Sequence, residues 1–209
     1  MSIDIQGNKL RFIELLKSTG REGVDDLIEY LEEGKNDFFN APASTRFHLN
    51  ERGGACQHSL NTCDAALKLR EIAIAQRPDL EPDLKRESVI VTALLHDINK
   101  SDIYKPVIKK VKSPIGVWEE VPGWDVDFSH LPLGHGEKSA IMALWSGLEI
   151  YEEEIIAIRW HMAAWDLAFQ SPEAKSNINA ARDKYPRVAL LQLADGFAAN
   201  LFEFDNKEY

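Results

Sequence analysis

The chain has 209 residues, 44% of them apolar and 28% charged, enough for one sizeable core or at most two small domains. Its 24 Lys and Arg stand against 34 Asp and Glu, and the net charge of −10 argues against loose, sequence-independent binding to nucleic acid. No apolar run reaches the ~18 residues of a membrane helix, and Met1-Ser2-Ile3-Asp4 lacks the basic and apolar regions of a signal peptide, so a cytoplasmic protein is expected.

In chain order, the first forty residues predict two amphipathic helices, over 9–18 and 21–33, the second stopped by Gly34. A polar, turn-rich connection is expected from 36 to 54. Apolar residues then recur at three- and four-residue intervals, predicting helices over 54–76, 85–98, 136–148, 151–163, 173–184 and 186–203. The segment 101–134 departs from this pattern. It alternates β-formers around Val107–Val111 and Val117–Val121, with Ser113-Pro114-Ile115-Gly116 between them, and predicts a short hairpin. That hairpin is either a part of the site it follows or a plain surface ribbon. Cys56 and Cys63 lie seven apart in a predicted helix, about 10 Å along its axis, beyond disulfide reach. They are expected to be small, reduced core residues.

Six side chains suited to metal binding interrupt this apolar chain: His58, His96, Asp97, His135, His161 and Asp195. Neutral imidazole offers a lone pair near physiological pH. A set without thiolate suits one or two ions of Mn, Fe, Mg, Co, Ni or Zn rather than a soft, sulfur-bound metal. His58 stands on the apolar flank of its helix, where a hydrogen-bonded core histidine is the alternative. His96 and Asp97 end the run Val89-Ile90-Val91-Thr92-Ala93-Leu94-Leu95, where an unpaired carboxylate would be costly. Asp195 interrupts Val188-Ala189-Leu190-Leu191-Gln192-Leu193-Ala194 and needs a cation or several donors, a buried Asp–Arg pair being the alternative. Gly196 beside it is expected to let a neighbouring helix pass closely. His161 sits among apolar residues, and His135 opens a helix within Leu133-Gly134-His135-Gly136. That glycine-rich piece lacks the spacing of a phosphate-binding loop. His48 and His130 fall in turn-rich stretches, away from ligation.

The ordered pieces Gly53-Gly54-Ala55-Cys56-Gln57-His58-Ser59-Leu60, Leu94-Leu95-His96-Asp97-Ile98-Asn99-Lys100, Gly134-His135-Gly136, Trp160-His161 and Leu193-Ala194-Asp195 resemble the HD-domain superfamily of metal-dependent phosphohydrolases. The resemblance covers roughly 44 to 205. It implies an all-α HD-type helical bundle, here with a small β-hairpin excursion. The organisation expected is one HD-type domain over 1–209, with an N-terminal helical extension at 1–43 and a metal-binding core at 44–205 carrying the 101–134 insertion. It also implies that His58, His96, Asp97 and Asp195 hold a first metal, with His135 and His161 adding the second ion of the binuclear subgroup. In that subgroup Asp97 bridges both ions, and Lys100 faces a substrate phosphate. Asn99 stands where many relatives carry glycine, a change expected to alter the local turn more than the chemistry.

Two ions about 3.5–4 Å apart lower the pKa of a shared water, and the hydroxide attacks phosphorus in line. Asp97 and Lys100 are therefore the expected catalytic residues. Lys100, Arg46, His48 and Arg52 are the expected substrate contacts. The excursion adds Lys105, Lys109, Lys110 and Lys112, either an electrostatic funnel or a solvated face. Trp118, Trp124 and Trp165 offer either base stacking or core packing. The expected partner is a small phosphate-bearing molecule, foremost a nucleotide, hydrolysed as monoester or diester, with nucleic acid only as an oligonucleotide substrate and no membrane. The alternatives are a di-iron oxygenase using the same six ligands, and a module that binds nucleotides without turnover.

Overall fold

The computed structural model describes residues 2–33, 37–165 and 171–203. The predicted stop at Gly34 lies outside them. Helices α1 (Ile5–Lys17) and α2 (Val24–Glu33) open the chain. The first begins earlier than its apolar pattern, because the Asp4 side chain accepts from the Gly7 amide at 2.9 Å and caps it.

The segment expected to be a polar connection is instead anchored. Phe38 and Phe39 form a 3-10 turn, are fully buried, and pack against Phe12 of α1 with ring centroids 5.5 Å apart. Helix α3 (Gly54–Gln76) follows with the predicted bounds. It packs on α1, on α4 (Arg86–Leu95) and on α9 (Pro186–Phe197), so it runs through the core. Gly54 is required at its start, since a Cβ there would fall 2.1 Å from the Leu49 carbonyl oxygen. The loop thereby closes tightly over the helix that carries His58.

The helix expected over 85–98 ends at Leu95. Residues 96–99 turn, and a single further turn, α5 (Lys100–Ile103), leads directly into strand β1 (Tyr104–Lys112). Strand β2 (Trp118–Val126) pairs with it antiparallel, Tyr104 opposite Val126 and Lys112 opposite Trp118. The predicted hairpin is present, with Gly116 at φ +86° in its turn. Helices α6 (His135–Trp145), α7 (Glu152–Trp160) and α8 (Pro172–Lys184) complete the bundle before α9. Gly136 lets α6 touch the α7 backbone: a Cβ there would lie 2.4 Å from the Arg159 carbonyl oxygen. The protein is thus all-α with one small β-hairpin. Cys56 and Cys63 are buried and unbridged, as the helical spacing required. No described helix is long and apolar enough to cross a membrane.

The last predicted helix, 186–203, changes winding. After Phe197, residues Ala198–Phe202 form a π-helical turn, and the Glu203 amide donates to the Ala198 carbonyl five residues back. Gly196 has open space where a Cβ would stand, so the expected close helix crossing there is absent. A register change follows Asp195 instead.

Candidate metal centre

Four helices deliver their ligand-type side chains from their ends. His96 follows the last residue of α4 and His161 the last of α7, and both use one local device. Each ring's Nδ1 donates to the carbonyl three residues back, at 2.8 Å to Ala93 and 2.7 Å to Ile158. The carbonyl can only accept, so the proton stays on Nδ1 and the Nε2 lone pair is left facing inward. His135 is the first residue of α6, brought to α7 by the close approach at Gly136. Asp195 enters from the last turns of α9.

These groups converge on Asp97, and its two oxygens face different pairs. Oδ2 lies 3.4 Å from His58 Nε2 and 3.3 Å from His96 Nε2. Oδ1 lies 2.5 Å from His135 Nε2 and 3.5 Å from His161 Nε2. Asp195 Oδ1 is 3.2 Å from His58 Nε2 and 3.9 Å from His96 Nε2, completing the first set. All six residues singled out in the sequence therefore meet in one place. Their donor atoms form overlapping groups that could hold a metal ion: His58, His96 and Asp97; His96, His161 and Asp195; Asp97, His135 and His161.

Two features fit a cation at this point. The Nε2 atoms of His58 and His96 face each other at 3.3 Å, and buried His161 Nε2 has no hydrogen-bond partner. Buried polar atoms are normally satisfied. Charge is concentrated as well: burial pushes the Asp97 carboxyl up, but Lys100, His96 and His135 outweigh it and hold it well below the usual carboxylate range. Asp195 is likewise held down against burial, chiefly by His58.

Lys100, only 6% exposed, places Nζ 2.5 Å from Asp97 Oδ2. Tyr104, which opens β1, sits close enough to feel both groups: burial raises its hydroxyl, Lys100 lowers it and Asp97 raises it further. His48 comes nearer the cluster than its turn-rich context suggests, its ring 5.0 Å from that of His58. Burial first, then the neighbouring His58 and Lys100 cations, push His48 down to about 4. Arg52 is exposed and donates to the Asn40 side chain at 2.8 Å. Arg46 is exposed on the same loop.

Three contributors were not counted among the expected site residues. Glu203 is buried, and both its oxygens lie 3.0 Å from His58 Nδ1, while Asn61 donates to Oε1 at 2.9 Å. On an ordinary helix Glu203 would stand about 80° around from Asp195. Five residues of π winding, with roughly 4.4 per turn, cancel that offset and return Glu203 to the face that meets His58. His58 is consequently pushed up to about 9, Asp195 and Glu203 overcoming its burial.

Asn99 is the second. It has an ordinary right-handed backbone (φ −60°), so no unusual turn accompanies it, and the expectation of a mainly local effect is corrected. Its buried side-chain amide lies 2.8 Å from His135 Nδ1 and 3.1 Å from Ser139 Oγ, and so orients an imidazole of the cluster.

The third is a brace. Lys138, buried on α6 one turn after His135, pairs with Asp102 and donates to the His130 carbonyl at 2.7 Å. His130 Nδ1 lies 2.9 Å from the same Asp102 carboxylate.

Groups that orient a metal-binding imidazole typically matter 10–100-fold in metal affinity. Glu203→Gln is expected to weaken metal binding by about that factor, read by competition with a chromophoric chelator. Wild-type affinity in this variant would remove Glu203 from the site. No family model matches the chain, and no curated protein or solved structure matches it.

Proposed function

We propose that the protein is a metal-dependent phosphohydrolase of the HD type, acting on a nucleotide or a related phosphate ester or diester. The observation that carries this reading is the divided Asp97 carboxylate, one oxygen toward His58 and His96 and the other toward His135 and His161, with Lys100 at its edge. His58, His96, Asp97 and Asp195 would hold one divalent ion and Asp97, His135 and His161 a second. When bound, such ions supply an activated water and neutralise charge on phosphate oxygens.

The chain's own groups do the rest. Glu203 and the Ala93 and Ile158 carbonyls fix three imidazoles with Nε2 facing the centre. Lys100 brings a fixed cation to where phosphate charge builds up, within a site whose burial limits screening. Tyr104 and His48 border the centre, the first near Lys100 and Asp97 and the second against His58.

The test is elemental analysis of the purified chain, then reloading with Mn, Fe, Mg, Co, Ni or Zn and assaying phosphate release from nucleotides, dinucleotides and simple esters. Lys100→Ala is expected to lower kcat by about 100-fold or more while metal content is unchanged. Full turnover in that variant would take Lys100 out of the mechanism. Oxygen consumption by the iron form without phosphate release would replace this reading with a di-iron oxygenase.

A further inference from the structure

The hairpin and the loop before α3, two segments that also approach the metal centre through Tyr104 and His48, line a cavity of about 800 Å³. Residues paired across the ladder share a face, so Tyr104, Pro106, Trp124, Ile108 and Pro122 lie on one side of the hairpin. Tyr104 is the member that meets Lys100 and Asp97. Pro106 and Trp124 come next along that face, Trp124 about 7–8 Å diagonally from Tyr104. Pro106, Ile108, Pro122 and Trp124, with Val107 and Gly123 between them, form one wall of the cavity. The opposite wall is the loop that also carries His48, whose ring touches His58. Both walls are therefore tied to the metal centre by a neighbouring residue of their own segment.

The cavity's chemistry differs from that of the centre. Its polar edge is a connected row: Asp37 accepts from the Asn40 amide at 2.6 Å, and Asn40 Oδ1 accepts from Arg52 at 2.8 Å. With Glu51, the lining holds two carboxylates against one guanidinium. A phosphate is disfavoured there, whereas a neutral ring with amino or hydroxyl groups meets an apolar, aromatic wall on one side and acceptors on the other. Lys105, Lys109, Lys110 and Lys112 do not line it. Lys105 and Lys109 occupy the opposite face of the ladder, and Lys110 pairs with Glu120 at 3.8 Å, so the expected lysine funnel is not what borders this cavity.

We propose that this cavity binds the nucleoside portion of the substrate, with the ring against Trp124 and the phosphate directed past Tyr104 toward Lys100. The choice of a phosphate-linked ring rests on the phosphohydrolase reading; the cavity and its binding can be tested without it. Equilibrium dialysis of the chelator-treated full chain against labelled adenosine, guanosine, cytidine and uridine needs neither metal nor turnover. At least one nucleoside is expected to bind in the millimolar range. Trp124→Ala should weaken that binding about tenfold, Trp124→Phe should largely retain it, and Trp118→Ala, altered at the exposed hairpin tip, should match the wild type.

No binding of any nucleoside to the wild-type chain, or equal binding by Trp124→Ala, would overturn the assignment. In an active, metal-loaded preparation, Trp124→Ala should raise KM for nucleotides and leave KM for a ring-free phosphate ester unchanged. An equal change for both substrates would also overturn it. Nucleoside binding in a chain that releases no phosphate with any metal would defeat the hydrolase reading and leave the cavity assignment standing.

Discussion

Asp97→Ala is expected to bring bound metal down to background and to lower phosphate release by about 1,000-fold or more. The magnitude follows from the sharing of one carboxylate. Its Oδ2 serves the His58 and His96 side and its Oδ1 the His135 and His161 side, so truncation removes a ligand from both groups at once. It also strands the buried Lys100 ammonium, which loses its partner at 2.5 Å. Breaking a buried pair from one side costs about 3–5 kcal/mol, so far-UV circular dichroism must accompany the metal analysis. His161→Ala separates the effects, since it removes a ligand from the Oδ1 side and leaves the Asp97–Lys100 pair in place. Full turnover with unchanged metal content in Asp97→Ala would dismantle the proposed centre.

Lys138→Met is expected to destabilise the fold by about 3–5 kcal/mol, read as a lower urea midpoint at neutral pH. Lys138 is buried, and its ammonium is held by Asp102 and the His130 carbonyl. Methionine fills similar space but leaves the Asp102 carboxylate with His130 as its remaining ionic partner. The pH dependence has a definite sign. Burial pushes the Asp102 carboxyl up, but Lys138 and His130 outweigh it and hold it below its ordinary 3.8. A group depressed in the folded state contributes stability above its unfolded pKa and loses it as pH falls through the folded value. The gap between Lys138→Met and wild type should therefore be widest near neutrality and shrink below about pH 4. A constant gap would assign the loss to packing alone. Because Lys138 lies one turn beyond His135, weaker metal retention should accompany the stability loss.

The long periodic segments were readable because an apolar stripe at helical spacing leaves little choice of structure; the bounds of α3 follow from Gly53, Gly54 and the run to Gln76. The hairpin was readable from alternation and its Ser113-Pro114-Ile115-Gly116 turn. Asp195 announced itself as a carboxylate inside an apolar helix, and the structure brings it beside His58 and His96. Glu203 left no such trace. A helical wheel turns it away from Asp195, and only the change to π winding, which no residue type dictates, restores it. The Phe38-Phe39 anchor was hidden because its turn-rich neighbours suggested a solvated loop, whereas two adjacent aromatics found the open flank of Phe12. Asn99 was read as a backbone substitution; its role lies in a side-chain contact to an α6 residue 36 positions on, which local patterns do not encode.

The π turn also makes the end of α9 sensitive to length rather than to composition. Inserting one residue into Ala198–Phe202 would turn Glu203 by roughly 80–100° from its present flank, whereas deleting one and relaxing to ordinary helix would leave it within about 20° of Asp195. Substitutions within those five positions should be absorbed far more readily than an addition to their number. Gain of a single codon in a stretch that supplies none of the six inward-facing donors would thus release His58 from its anchor while leaving each of them in the sequence.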